Sequence, residues 1–102
     1  MTISRLLEAS TAHLTAAEHV LMTRAGAGLP IGDCPPVVRN LGTGWLVWAP
    51  DLEIGVHQRA YRACGFTATF IRLLALARQH DCRYVLFDRD ADPIQGVRVV
   101  RH

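Results

Sequence analysis

Nine residues, Ser10-Thr11-Ala12-His13-Leu14-Thr15-Ala16-Ala17-Glu18, gather side chains that could do chemistry into one short stretch. His13 offers an imidazole, the side chain suited to proton transfer near neutral pH, and Ser10 and Thr11 offer hydroxyls beside it. The same stretch also reads as a helix entrance. Thr15 and Glu18 have the S/T-x-x-E spacing of a capping box, in which each side chain bonds the other's free backbone N–H, so a helix should begin at about Ala16. Ser10, Thr11 and His13 then lie on the turn that leads into it, where hydroxyls and imidazoles satisfy backbone groups. They are candidate binding residues; none is assigned a catalytic role.

Asp88-Arg89-Asp90-Ala91-Asp92 alternates carboxylates in a way that invites a metal. The spacing does not sustain it. A calcium loop starting at Asp88 would want glycine at its sixth position and glutamate at its twelfth, where this chain has Pro93 and Val99. A phosphotransferase of the D-x-D type needs a nucleotide-sized domain after the motif, and only ten residues follow Asp92. A polar turn whose Asp side chains bond backbone amides accounts for the run. Cys34, Cys64 and Cys82 are widely spaced without a C-x-x-C pair, and each reads as a small buried hydrophobe. Trp45 and Trp48 stand three apart, so on one strand they face opposite sides of a sheet, one in the core and one on a binding surface. His57, Arg59, Tyr61 and Arg62 share a segment that could meet a phosphate or carboxylate, although a solvated helix face is the stronger reading of them.

These residues are positioned by elements the pattern outlines. Ile3 to Ala9 reads as a strand, and the capped helix as Ala16 to Ala25 with Ala17, Val20, Leu21 and Ala25 on its apolar face and Gly26 and Gly28 as its stop. Leu29-Pro30 through Cys34-Pro35-Pro36 must be extended. Val37 to Asn40 and Trp45 to Trp48 form a hairpin around Gly42 and Gly44. Val56, Ala60 and Cys64 recur at helical spacing before Gly65, and Thr67 caps a helix carrying Phe66, Phe70, Leu73, Leu74 and Ala77. Tyr84-Val85-Leu86-Phe87 reads as a central strand, and Val97 to Val100 as an extra C-terminal one. The order β-α-β-β-α-β is that of a ferredoxin-like two-layer α+β sandwich. That topology would set His13 near His80, Asp81 and Cys82, a mixed set of zinc-ligand types, and Asp88 at the opposite end.

The STAHLT segment, the Gly-Trp-Leu-Val hairpin strand, Gly65-Phe66-Thr67 and the Tyr-Val-Leu-Phe-Asp strand together resemble a family of short bacterial domains of unknown function, carried on plasmids and integrative elements. The resemblance implies a bacterial accessory protein and carries over no catalytic residue. It also implies, through the company such genes keep, an inhibitor of a host defence complex of the anti-CRISPR kind.

Composition bounds the remaining classes. A chain of 102 residues, half of them apolar and 20% charged, is one globular domain spanning 1–102. All 11 basic residues are arginine, yet with nine carboxylates the formal charge is only +2 and the arginines are scattered, which argues against nucleic acid and excludes an acidic DNA mimic. No apolar run approaches the ~20 residues of a membrane span, and no signal stretch opens the chain, so a cytoplasmic location is expected. No motif implies a cofactor. The leading expectation is a non-enzymatic protein-interaction module presenting Trp45, Trp48, Arg59, Tyr61 and Arg62 with Ser10, Thr11 and His13. The alternatives are a small metal-dependent or acid/base enzyme centred on His13 and a nucleic-acid-binding accessory protein. An unpaired last strand would favour a homodimer.

Overall fold

A computed structural model describes residues 5–29, 38–50 and 55–100. Its elements are β1 (Arg5–Ser10), a 3-10 turn (Thr11–His13), α1 (Ala16–Gly26), β2 (Val38–Asn40), β3 (Gly44–Trp48), α2 (Gly55–Cys64), α3 (Ala68–Gln79) and β4 (Cys82–Asp88). The strands form one mixed sheet in the order β1-β4-β3-β2, with β1 parallel to β4 and the other pairs antiparallel.

This order corrects the ferredoxin-like expectation. There the first strand lies inside the sheet; here β4 takes the interior and β1 an edge. The residue types account for the exchange. Val85 and Phe87 are fully buried in β4, whereas β1 carries the exposed charges Arg5 and Glu8, which suit a strand with water along one side. Among the described residues no strand lies beside the outer edge of β1. The expected last strand does not form: residues 97–100 are irregular. Gly96 turns the chain at φ 82°, Val97 is buried, and the Val100 N–H donates to the Ala12 carbonyl at 2.8 Å, so this segment closes over the 3-10 turn instead of extending the sheet.

The core lies between the sheet and the helices. Leu7 and Ala9 of β1, Trp45 and Val47 of β3, and Val85 and Phe87 of β4 point into it, the alternation that places one sheet face inward. Phe66 stacks on Phe70 at a centroid distance of 4.2 Å, and Phe70 on Phe87 at 5.8 Å, so one aromatic column joins the helix layer to the sheet. The apolar stripe of α3 is as its spacing predicts, with Phe70, Leu73, Leu74 and Ala77 buried.

The stripe expected of α1 is half corrected. Val20 is 60% exposed and Ala17 is exposed, while Leu21 and Ala25 pack on the core beside the buried Met22. Glu18, fully buried, occupies the remaining inward position. A pattern of apolar residues cannot show a helix whose inward face contains a carboxylate.

Candidate functional site

The helix-entrance turn is built from its side chains. Ser10 Oγ accepts the Ala12 N–H at 3.0 Å and thereby closes the 3-10 turn. Thr15 Oγ1 accepts the Glu18 N–H at 3.1 Å while Glu18 Oε1 accepts the Thr15 N–H at 2.9 Å, completing the capping box. Glu18 does more than the motif asks. Its Oε2 accepts the Thr67 N–H at 3.1 Å, and the Thr67 hydroxyl donates to the same carboxylate at 3.2 Å while accepting the Phe70 N–H. One carboxylate therefore joins the N-termini of α1 and α3, where both helix dipoles favour negative charge.

His13 is fully buried, and both ring nitrogens are engaged by backbone. Nε2 accepts the Ile94 N–H at 2.9 Å, which leaves Nδ1 as the nitrogen that donates to the Arg98 carbonyl at 2.8 Å. The imidazole pins residues 94–98 to the turn. Replacing His13 by alanine is expected to cost about 2 kcal/mol, from the cavity and the two backbone groups set adrift. Urea unfolding reads the cost, and faster amide exchange at Ile94 localises it; an unchanged midpoint with unchanged exchange would contradict the pin.

The parallel register corrects where this turn lies. Ser10 pairs with Asp88 and Arg5 with Cys82, so His13 stands at the Asp88 end of the sheet and the His80, Asp81, Cys82 turn lies at the other. The juxtaposition behind the zinc reading is absent. Among the described residues no three histidine, cysteine or carboxylate side chains converge as metal ligands. A Ser10, His13, Asp88 set is not excluded by distance along the sheet, contrary to the ferredoxin-like expectation. What stands against it is that both His13 nitrogens are committed to the 94–98 backbone. Cys82 is buried and Cys64 half-buried, while Cys34 falls outside the described residues.

Opposite the helices, the sheet presents a different surface. Register places Trp48 beside Tyr84 and Tyr84 beside Leu6, a row of apolar side chains crossing β3, β4 and β1. The next row runs Arg39, Leu46, Leu86, Glu8, with a cation at one end and an anion at the other. Trp48 is 39% exposed and Leu6 44%. Among the described residues no helix covers this face. Trp45 points the other way, half-buried, its indole meeting the His19 ring edge-on at 5.3 Å. The two tryptophans thus separate as their spacing predicts. Tyr84 and Leu86 were visible as apolar positions on both faces of a central strand, but Leu6 joins the surface only through the register of β1 on β4.

The α2 residues also separate. Arg59 and Arg62 are exposed, as is His57. Tyr61 is corrected: it is 3% exposed and packs edge-on against Phe66 at 5.7 Å, a core residue and not a contact residue. The helix places Tyr61 inward because Ala60 and Cys64 flank it on the face that meets the core. Arg62 lines a shallow groove of about 510 Å³ between α2 and α3, together with Arg72.

A smaller cleft of about 280 Å³ opens at the end of the sheet where the β2–β3 hairpin, the 3-10 turn and the residue after β4 meet. Thr11, His19, Asn40, Thr43, Trp45 and Arg89 line it. The hairpin shapes the mouth: Asn40 Oδ1 accepts the Gly42 N–H at 2.8 Å, Gly42 sits at φ 82°, and the Arg89 N–H donates to the Thr43 carbonyl at 3.2 Å. The structure here brings together Thr11 and Trp45, two sequence-predicted site residues far apart in the chain. His19, Asn40, Thr43 and Arg89 carried no sequence signal, Arg89 being hidden within a carboxylate turn.

A four-stranded mixed sheet with three helices among the described residues, all on its inner face, defines a small α+β domain. The chain belongs to a family of unknown function, DUF5983; the model of that family's C-terminal domain matches residues 6–102. No curated protein and no solved structure matches it. No helix among the described residues is long and apolar enough to cross a membrane.

Proposed function

We propose that this chain is a non-enzymatic protein-interaction module that docks a folded protein partner on its open sheet face. The observation that carries the reading is the Trp48, Tyr84, Leu6 row, an apolar strip with a large aromatic anchor at one end and no helix over it among the described residues. Aromatic anchors in such strips supply most of an interface's energy. Arg39 and Glu8 at opposite ends of the adjacent row set the orientation, since the partner must offer an anion near β2 and a cation near β1. Inhibition of a host defence complex is the form of this activity that works by occupancy alone.

The competing enzyme reading needs the 94–98 backbone to leave His13 before the imidazole can exchange a proton with a substrate. The nucleic-acid reading needs affinity that falls steeply with salt and disappears when Arg59 and Arg62 are neutralised.

Affinity capture from a bacterial lysate at two salt concentrations tests the proposal, with Trp48→Ala and Arg59→Glu/Arg62→Glu in parallel. The expected result is one stoichiometric protein retained at both salts, retained by the arginine variant, and bound about 30-fold more weakly by Trp48→Ala, the loss of a large aromatic anchor of about 2 kcal/mol. Retention indifferent to Trp48 but lost with the arginines would overturn the assignment of the face, and concentration-dependent self-association abolished by Trp48→Ala would replace the partner by a second copy.

A further inference from the structure

We infer that the strand-end cleft is a second binding site, separate from the sheet face, for a small aromatic monocarboxylate. Among the described residues the ionisable side chains lining it are Arg89 and His19, and no carboxylate is among them. Its neutral polar groups favour an acceptor as well. Asn40 has its oxygen engaged by the Gly42 N–H, so the group it turns to a ligand is its NH2, and Thr11 and Thr43 bring hydroxyls that can donate. A single guanidinium matches a single carboxylate, which it grips through two parallel N–H bonds.

Two features narrow the class further. Asp88, Asp90 and Asp92 flank Arg89 in the chain, and their combined negative field penalises a dianion such as phosphate more than a monoanion. Trp45 lines the cleft beside His19, whose ring meets the indole edge-on at 5.3 Å, and supplies an aromatic surface there. About 280 Å³ is just below the ~300 Å³ at which small-molecule sites begin and has room for one ring with its carboxylate, not a nucleotide. Trp45 and Trp48 serve different ligands on opposite faces of one strand.

Titration of the 15N-labelled protein with sodium benzoate tests the assignment, followed at the Trp45 indole N–H and the Asn40 side-chain amide. Benzamide, which keeps the ring without the charge, acetate, which keeps the charge without the ring, and the variants Arg89→Gln and Trp48→Phe complete the set. Saturable benzoate shifts at both positions are expected, weakened about tenfold or more by Arg89→Gln and by either control ligand, and unchanged by Trp48→Phe. Arg89 is exposed, so the glutamine variant should keep the wild-type spectrum elsewhere. Benzamide binding as well as benzoate, shifts centred on Arg59 and Arg62, or no saturable shift at Trp45 would each overturn the proposal.

Discussion

Glu18→Ala is expected to lower the unfolding free energy by about 4 kcal/mol, far beyond what an ordinary helix-cap substitution costs. The carboxylate is fully buried and accepts the Thr15 and Thr67 backbone N–H groups together with the Thr67 hydroxyl. Its removal undoes half of one capping box, frees a donor at the start of a second helix, and leaves both donors facing the buried space the carboxylate filled. Each unsatisfied buried donor costs about 1–3 kcal/mol, and the vacated volume adds to that. For a domain of this size the loss corresponds to a fall in Tm of roughly 15 °C or more. Glu18→Gln should cost about half as much, because one amide oxygen can still accept while the NH2 faces the other donor. Thermal and urea unfolding of both variants check the ranking. A double cycle with Thr67→Val adds a stricter test, since the two residues share bonds and their effects should fall short of the sum. A Glu18→Ala variant within 1 kcal/mol of wild type would show that the carboxylate does not join the two helices (about 1 kcal/mol being an ordinary single cap).

The second large effect is expected at Gly44, the first residue of β3, where it pairs with Asp88 of β4. A Cβ built there runs into the Phe87 carbonyl oxygen, 2.8 Å from its carbon and 3.0 Å from Asp88 Cα. These are backbone atoms of the central strand, so no side chain can swing aside. Gly44→Ala must move β3 away from β4 at the end of the sheet where the cleft and the His13 turn also lie. A cost of about 3 kcal/mol or more follows, at the upper end of overpacking effects. Gly42→Ala is the informative comparison: nothing stands within 4 Å of its added Cβ, but φ 82° strains a side chain, and about 1 kcal/mol is expected. Urea midpoints for the two variants should therefore differ widely. Equal costs would mean that the hairpin conformation, and not the approach of β3 to β4, makes glycine necessary in this loop.

Much of the architecture was legible in the residues because local rules determine it. The Thr15 and Glu18 capping box, the Thr67 cap, the Gly42 and Gly44 hairpin and the Phe66 to Ala77 stripe each depend on contacts within a few positions, and all are present. Long-range pairing was not legible. Nothing local in Arg5 to Ser10 states whether it runs parallel or antiparallel to β4, and that direction decides which end of β4 meets His13. The misplacement of His13 beside Cys82 descends from it, whereas Val97 to Val100 leave the sheet because Val97 is buried and the Val100 N–H bonds the Ala12 carbonyl. Glu18 and Tyr61 escaped for another reason: each is a polar type buried because its partners come from elsewhere in the chain, Thr67 for one and Phe66 with Phe70 for the other. Of the candidate site, Trp48 was readable from its spacing to Trp45, whereas the Leu6, Tyr84, Trp48 row exists only in the folded register.

The central claim, that the sheet face over which none of the described helices lies is the working surface, is tested most directly by covalent footprinting of the domain free and in complex with the partner it captures. Protection should concentrate on Leu6, Trp48 and Tyr84, with Tyr61 unreactive in both states and the Arg59 and Arg62 face of α2 unchanged. Protection of α2 with Trp48 left as reactive as in the free domain would contradict the account.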